Sequence, residues 1–149
     1  YISSEKNSNI EILVNNYIKK IKHLAEIDLF KIDNKNKSKK NQFNIDYESN
    51  LIINQLSKND INILLDEKGD VYETIEFSKF IQKNFLYSSK KIVFIIGGAY
   101  GFNKELNKTV EKKISLSKFT FTHDMARLLL IEQIYRALTV IKKIPYHNH

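Results

Sequence analysis

Cysteine is absent from this chain of 149 residues, and so is any apolar run long enough to cross a membrane. Without cysteine there is no disulfide, no zinc site with thiolate ligands and no thiol nucleophile, so redox chemistry is not expected. A bilayer span needs roughly 18 to 20 consecutive apolar residues, and the N-terminus lacks the basic and then apolar pattern of a secretory signal. We therefore expect a soluble cytoplasmic protein with no membrane partner, or an organellar one if residues that precede Tyr1 carry a transit peptide.

Glycine is scarce as well, and all four glycines lie between positions 69 and 101. Three of them form Gly97-Gly98-Ala99-Tyr100-Gly101, directly after an apolar run. At the end of a parallel strand, missing side chains let the backbone approach a ligand closely, and a tight turn is an equally good interpretation. The spacing is neither GxGxxG nor GxxxxGK[ST], which disfavours dinucleotide and nucleoside-triphosphate sites.

The charge of the chain is strongly positive, because 24 lysines and arginines face 17 aspartates and glutamates, a net charge of +7. Such an excess favours a polyanionic partner through counterion release, and nucleic acid is the leading candidate. An AT-rich genome also enriches lysine and asparagine, so the charge counts only modestly.

Apolar periodicity of three to four residues predicts five helices, and alternating or unbroken apolar runs predict four strands. The predicted helices cover residues 10–24, 47–56, 77–85, 103–113 and 124–142, and the predicted strands cover 27–32, 61–66, 91–96 and 114–116. A basic loop is predicted at 35–41 and a turn at 67–70. This alternation predicts an α/β fold, a mostly parallel sheet with helices on both faces, within one domain over residues 1–149.

The loop before the last helix mixes small polar and aromatic residues, where a solvent-facing loop is usually polar. A bound ligand would supply hydrogen-bonding partners for buried backbone in such a loop. The alternative is that Phe119 and Phe121 fill the core, and the residues alone favour that alternative.

Arginine occurs only twice, at Arg127 and Arg136, in a chain with 22 lysines. A planar fork suits phosphate or carboxylate, and Glu132 with Arg136 has the spacing of a structural ion pair. The apolar stripe of the same helix favours burial against both the core and a partner subunit, with a single large core as the alternative. No metal site is assigned, because no carboxylate completes a ligand set with His147 and His149, and His23 is expected to be solvated.

Six stretches together resemble a known family, the RlmH methyltransferases of the SPOUT class. They are residues 65–69 (LDEKG), 94–101 (FIIGGAYG), 114–121 (ISLSKFTF), 123–127 (HDMAR), 131–137 (IEQIYRA) and 145–147 (PYH). The resemblance implies a SPOUT-like fold with a C-terminal trefoil knot, an exception to the usual unknotted topology. It also implies methylation of N3 of a pseudouridine in large-subunit ribosomal RNA, within the assembled ribosome, by a homodimer.

The same resemblance implies S-adenosyl-L-methionine as the cofactor and assigns roles to individual residues. The cofactor-binding residues would be Leu65, Gly97, Leu116, Ser117, Lys118, Phe119, Thr120 and Phe121. His123, Tyr146 and His147 are candidates for positioning or proton transfer, and Arg127 and Arg136 for contact with RNA phosphate or a partner subunit.

Three departures from the family pattern bear on these expectations. Thr122 and Asp124 stand where many members have other residues, and the added carboxylate of Asp124 would either cap the helix or repel RNA. The N-terminal strand of the family is represented only by residues 1–4, so it is expected to be incomplete. The alternative function is a catalytically silent knotted protein that binds RNA or assists ribosome assembly.

Overall fold

A computed structural model describes residues 1–2, 8–33, 42–98 and 101–146 of the chain. Five helices and three strands alternate along it. They are α1 (Ser8–Lys22), α2 (Gln42–Ile53), β1 (Ile61–Val71), α3 (Thr74–Tyr87), β2 (Ile92–Ile95), α4 (Lys104–Thr109), β3 (Lys112–Ser115) and α5 (His123–Ile141). The predicted basic loop at 35–41 lies outside the described residues. No described helix is long and apolar enough to span a membrane.

The three strands form a parallel sheet in the order β2-β1-β3. Ile61 pairs with Ile92 at the start of β1, and Leu65 pairs with Ile114 further along. Ile2 extends the hydrogen bonding beyond β2, because its N–H donates to the Ile96 carbonyl at 3.2 Å. The first four residues of β1 are all buried, as expected for the central strand of a sheet covered on both faces.

Successive side chains of β1 enter two different apolar clusters. Ile61 and Ile63 pack with residues of α1, α3 and α5, whereas Leu64 packs with Ile52 of α2 and Leu106 of α4. This separation follows from the two-residue period of a strand, which directs neighbouring side chains to opposite faces. The predicted α/β fold, a mostly parallel sheet with helices on both faces, is therefore confirmed.

Side-chain caps fix where two of the helices begin. Asn103 accepts a hydrogen bond from the Leu106 N–H at 2.9 Å, so α4 starts at the predicted place. Thr122 accepts one from the Met125 N–H at 3.4 Å and starts α5 one residue before the predicted position. Each cap satisfies a backbone donor that has no partner inside the helix.

Two predicted element positions are wrong. Within the described part of the chain, the predicted strand at 27–32 contributes only an isolated bridge between Ile32 and Ile2, and Phe30 is 74% exposed. Alternation of apolar and charged residues is not sufficient for a strand without a neighbour to pair with along its length. The predicted turn at 67–70 lies inside β1, which continues to Val71 through a shift of register.

The limits of two helices also differ from the prediction. The helix predicted at 47–56 is α2, which begins five residues earlier, at Gln42. The helix predicted to extend to Lys113 ends at Thr109, because Lys112 and Lys113 belong to β3. Their ammonium groups pair with Asp70 and Asp66 of β1, which the local sequence of the helix does not reveal.

Candidate functional site

The carboxyl ends of the three strands bring the predicted cofactor segments to one edge of the sheet. Leu65 pairs with Ile114 of β3, Leu116 follows β3 directly, and Gly97 lies two residues after β2. Because the strands are parallel, these positions share an edge, and β2 and β3 are roughly 10 Å apart across β1. A ligand at this edge can contact all three segments.

At this edge β1 crosses close to β3. Ile114 pairs with Leu65 and again with Asp70, so residues 66–69 leave the regular ladder. A Cβ on Gly69 would lie 2.6 Å from both the backbone nitrogen and the carbonyl carbon of Ile114. Only glycine allows so close an approach of the two backbones.

Two ion pairs connect β1 and β3 on either side of this crossing. The Lys113 ammonium lies 3.2 Å from a carboxylate oxygen of Asp66, and the Lys112 ammonium lies 2.8 Å from Asp70. Burial acts to raise the pKa of Asp66, but the Lys68 N–H, at 3.0 Å, and the Lys113 ammonium outweigh burial and hold that pKa below its ordinary value. The Asp66 carboxylate is therefore charged near neutral pH and ties the end of β1 to β3.

The glycines after β2 accommodate side chains of the chain itself. A Cβ on Gly97 would collide with the Phe102 ring, and one on Gly98 would collide with the Glu48 carboxylate. Gly101 has a φ of +83°, and no atom of another described residue lies within 4 Å of its Cβ position. The missing side chains thus make room for neighbouring side chains at two positions and allow a left-handed backbone conformation at the third.

The loop after β3 is held by short hydrogen bonds and presents aromatic rings to solvent. The Ser115 hydroxyl donates to the Ser117 carbonyl at 2.7 Å, and the Phe119 N–H donates to the Ser117 hydroxyl at 3.0 Å. Phe119 is 80% exposed and Phe121 42% exposed. The interpretation of these two residues as core residues is therefore wrong, and their rings are available to a ligand or partner.

The edge fits an adenosine-containing methyl donor through its apolar side chains. Leu65 and Leu116 are half-buried, and Phe119 and Phe121 add exposed apolar surface. Such sites are mostly apolar with a few polar groups that fix orientation. Because the Phe102 ring fills the space beside Gly97, contact between Gly97 and a donor would run through its backbone groups.

A second cluster of ionisable and aromatic residues joins the second half of α5 to α1 and to the segment that follows α5. The Tyr146 hydroxyl donates to Glu132 Oε1 at 3.2 Å and lies 3.4 Å from the Tyr17 hydroxyl. Arg136 donates from Nε to the same carboxylate oxygen at 3.1 Å, which confirms the predicted ion pair, and its guanidinium lies 4.8 Å from the Tyr146 ring centroid.

The pKa values of two groups in this cluster, Tyr146 and Arg136, are raised. The hydrogen bond with Tyr17, burial and the nearby Glu132 carboxylate raise the pKa of Tyr146 well above its ordinary value. The hydrogen bond to Glu132 also raises the pKa of Arg136. Near neutral pH, Tyr146 is thus a neutral hydrogen-bond donor rather than a proton acceptor.

Arg127 is committed to partners within the chain. Its side chain is 2% exposed, and its terminal nitrogen lies 2.9 Å from Glu11 and 3.5 Å from Asp124. The guanidinium also lies 4.4 Å from the centroid of the Tyr1 ring. Asp124, the carboxylate that departs from the family pattern, therefore faces Arg127 and neither caps α5 nor stands alone near the surface.

The other candidate residues are two histidines near the helices and the polar residues of the loop after β3. His123 is half-buried at the first position of α5, and His23 is exposed as predicted. Lys118 and Thr120 are exposed, whereas Ser117 is half-buried. His147 and His149 lie outside the described residues. Within the described ranges, no group of three or more metal-ligating side chains is present.

Sequence reasoning missed Tyr17 and Glu11 as partners of candidate site residues, and it missed Asp66 as the carboxylate that ties β1 to β3. Tyr17 lies in the helix predicted at 10–24, and its hydroxyl meets that of Tyr146, which is 129 positions away in the sequence. Asp66 lies in the LDEKG stretch, and its place directly after an apolar strand was the available signal. Nothing in the local pattern of α1 indicated that Glu11 would pair with a buried arginine.

Comparison with known proteins gives one consistent result. A family profile described as "Predicted SPOUT methyltransferase" matches residues 1–147. Three similar proteins are each named ribosomal RNA large subunit methyltransferase H. The protein from Christiangramia forsetii is 37% identical over 149 residues, covering 99% of this chain and 95% of that protein. Those from Bacteroides fragilis (40% over 137 residues) and Phocaeicola vulgatus (39% over 139 residues) each cover 91% of this chain, and 87% of each relative is matched.

Proposed function

Because the chain belongs to the SPOUT methyltransferase family, we propose that it is a methyltransferase of large-subunit ribosomal RNA that uses S-adenosyl-L-methionine. The acceptor in this proposal is N3 of a pseudouridine in the assembled ribosome, and the C-terminal part of the chain forms the trefoil knot of the family. The observation that carries the proposal is the meeting of Leu65, Gly97 and Leu116 at one edge of the parallel sheet.

The cofactor would be held at this edge by Leu65, by the backbone of Gly97, and by the loop that comprises Leu116, Ser117, Lys118, Phe119, Thr120 and Phe121. When bound, S-adenosyl-L-methionine supplies an electrophilic methyl group on a positively charged sulfur. The Asp66–Lys113 ion pair and the crossing at Gly69 set the separation of Leu65 and Leu116 before any ligand binds. A preorganised site of this kind reduces the entropy that binding must otherwise overcome.

Methyl transfer requires the acceptor nitrogen to lie in line with the bond between sulfur and the methyl carbon and to lose its proton. Alignment alone provides a large part of the acceleration in such displacements. Tyr146 is protonated near neutral pH, so we assign it a hydrogen-bonding role toward the base, and His123 and His147 remain the candidates for accepting the proton. Replacing either histidine with glutamine tests this assignment, because only the proton acceptor should shift the acid limb of the rate profile.

The two arginines differ in how available they are to RNA. Arg136 is partly exposed, at 26% of its side-chain surface, and could bind phosphate while it keeps its bond to Glu132. Arg127 would first have to leave Glu11, since it is nearly fully buried. We therefore propose Arg136 as the arginine that contacts RNA and a structural role for Arg127.

The positions of Tyr146 and of the cofactor edge support a homodimer. Tyr146 contacts residues 132–136 of α5, whereas the cofactor loop ends at Thr122, where α5 begins. At 1.5 Å per residue, the two lie roughly 15 to 20 Å apart along the helix. A second copy in the reverse orientation would bring Tyr146 of one chain toward the cofactor edge of the other. Light scattering of the purified chain should therefore report twice the mass of one chain.

The decisive experiment incubates the purified chain with isotopically labelled S-adenosyl-L-methionine and ribosomes from cells that lack the gene. Nucleoside mass spectrometry should then find the label on one pseudouridine of the large subunit. Protein-free ribosomal RNA and isolated subunits serve as parallel substrates, and assembled ribosomes should react fastest. A chain that binds ribosomes but shows no saturable cofactor binding by calorimetry and no label transfer would instead be the catalytically silent protein.

A further inference from the structure

Helices α1 and α5 lie side by side and run in the same direction. Glu11 contacts Arg127 in the early part of both helices, and Tyr17 contacts Tyr135 further along, with ring centroids 5.8 Å apart. Their C-terminal ends therefore lie at the same end of the protein. Measured from the level of the two tyrosines, Lys22 is roughly 7 Å further along α1 and Lys142 roughly 10 Å further along α5.

Four lysines cluster at these two helix ends. Lys19 and Lys22 lie in the last turn of α1, and Lys142 and Lys143 follow α5 directly. All four are exposed. Lys20 differs from them, because its ammonium group lies over the rings of Tyr17 and Tyr135, at 5.1 and 5.6 Å from the centroids.

The charges of the four lysines are not neutralised by ion pairs with described carboxylates. The ion pairs among described residues use Lys31, Lys112, Lys113, Arg127 and Arg136 as their cations. On α5, the Glu132 carboxylate is bonded to Arg136, Gln133 and Tyr146. The helix ends therefore present concentrated positive charge. The partial negative charge at each helix C-terminus, about half a unit, offsets only part of it.

We propose that Lys19, Lys22, Lys142 and Lys143 form one surface that binds the phosphate backbone of ribosomal RNA. The proposal rests on the proposed function and adds where the RNA lies against the chain. The surface borders the aromatic cluster around Tyr146 and lies at the end of α5 away from the cofactor edge. In the proposed homodimer this end of α5 lies toward the cofactor edge of the other chain, so the surface would hold RNA beside the acceptor base. Lysine is a flexible point charge and suits the backbone rather than a base edge.

The test replaces all four lysines with glutamine and measures ribosome binding across a range of salt concentrations. Each lost phosphate contact should reduce the slope of log K against log salt by about 0.7 to 0.9, so the loss of four contacts should lower the slope by up to about 3.6 units. Its KM for ribosomes should rise at least roughly tenfold, while the dissociation constant for S-adenosyl-L-methionine stays unchanged.

A matched variant removes the same charge elsewhere. Lys79 and Lys83 on α3 and Lys104 and Lys108 on α4 are also exposed, and their replacement with glutamine lowers the net charge equally. A quadruple arginine variant of the proposed surface keeps the charge and should restore binding, which separates RNA contact from helix stability.

Equal losses in the matched variant and in the surface variant would overturn the proposal, because net charge alone would then explain the binding. An unchanged salt slope in the surface variant would overturn it as well. If the parent chain transfers no methyl group to ribosomes, the proposed function fails, and the salt dependence of ribosome binding still decides whether this surface contacts RNA.

Discussion

Replacing Gly69 with alanine places a methyl carbon where β1 crosses β3. The new carbon would lie 2.6 Å from two backbone atoms of Ile114 and 2.7 Å from the carbonyl carbon of Lys113. Optimal separations begin near about 3.5 Å, and no side chain can rotate away, because all three neighbours are backbone. The strands must separate, so we expect a loss near the upper end of the usual range for overpacking, about 3 kcal/mol.

Urea unfolding followed by circular dichroism measures this loss, and for a chain of this size it corresponds to a fall in Tm of roughly 6 to 12 °C. Gly101→Ala is the matched control. Its φ of +83° strains an alanine by about 1 to 2 kcal/mol, but among the residues that the structure describes no atom lies within 4 Å of the new carbon. A Gly69→Ala variant as stable as the parent, or no less stable than Gly101→Ala, would show that the crossing is not tightly packed.

Three further perturbations test the charged groups. The folded pKa of Asp66 lies below its ordinary 3.8, so the carboxylate stabilises the fold above that pH, and this contribution is lost as pH falls through the folded pKa. Asp66→Asn should therefore make the free energy of unfolding depend less on pH in the acid range. Arg127→Met should cost about 2 to 3 kcal/mol, less than a fully buried pair because Glu11 remains 38% exposed, and adding Glu11→Gln should recover part of it in chemical denaturation. The pKa of Tyr146 is raised, so its contribution holds below pH 10 and falls as pH rises further; Tyr146→Phe should unfold about 1 kcal/mol more easily at pH 8 and lose less stability in alkali. If a variant kept both the unfolding free energy and the pH dependence of the parent chain, the contact that it removes would not contribute to stability.

The helices and the central strands follow from local pattern. The apolar spacing of α1, α3 and α5 and the unbroken runs of β1 and β2 predicted these elements close to their observed places. The prediction failed at 27–32 and at 67–70, where the structure depends on whether a second segment lies alongside. Among the described residues, Ile32 pairs with residues 1–2, and residues 66–69 are accommodated inside β1 because β3 passes beside them.

The candidate site also has a part that the sequence predicted and a part that it did not. The strand order places Leu65, Gly97 and Leu116 at one edge, and parallel strands made that edge predictable. The roles of individual side chains were less predictable. Phe119 was interpreted as a core residue and is exposed, since the bonds of Ser115 and Ser117 turn the loop outward. Gly97 was weighed as a ligand contact or a turn, and it makes room for Phe102.

The amino-acid sequence by itself determined the alternation of helices and strands, the start of the helix predicted at 103 and the family to which the chain belongs, because each depends on residue types at short, fixed spacings. Only the tertiary structure decided which charged and aromatic groups meet. Lys113 reaches Asp66 across 47 positions, Arg127 reaches Glu11 across 116 and Tyr146 reaches Tyr17 across 129. Such contacts depend on the path of the backbone between distant segments, and no local periodicity specifies that path.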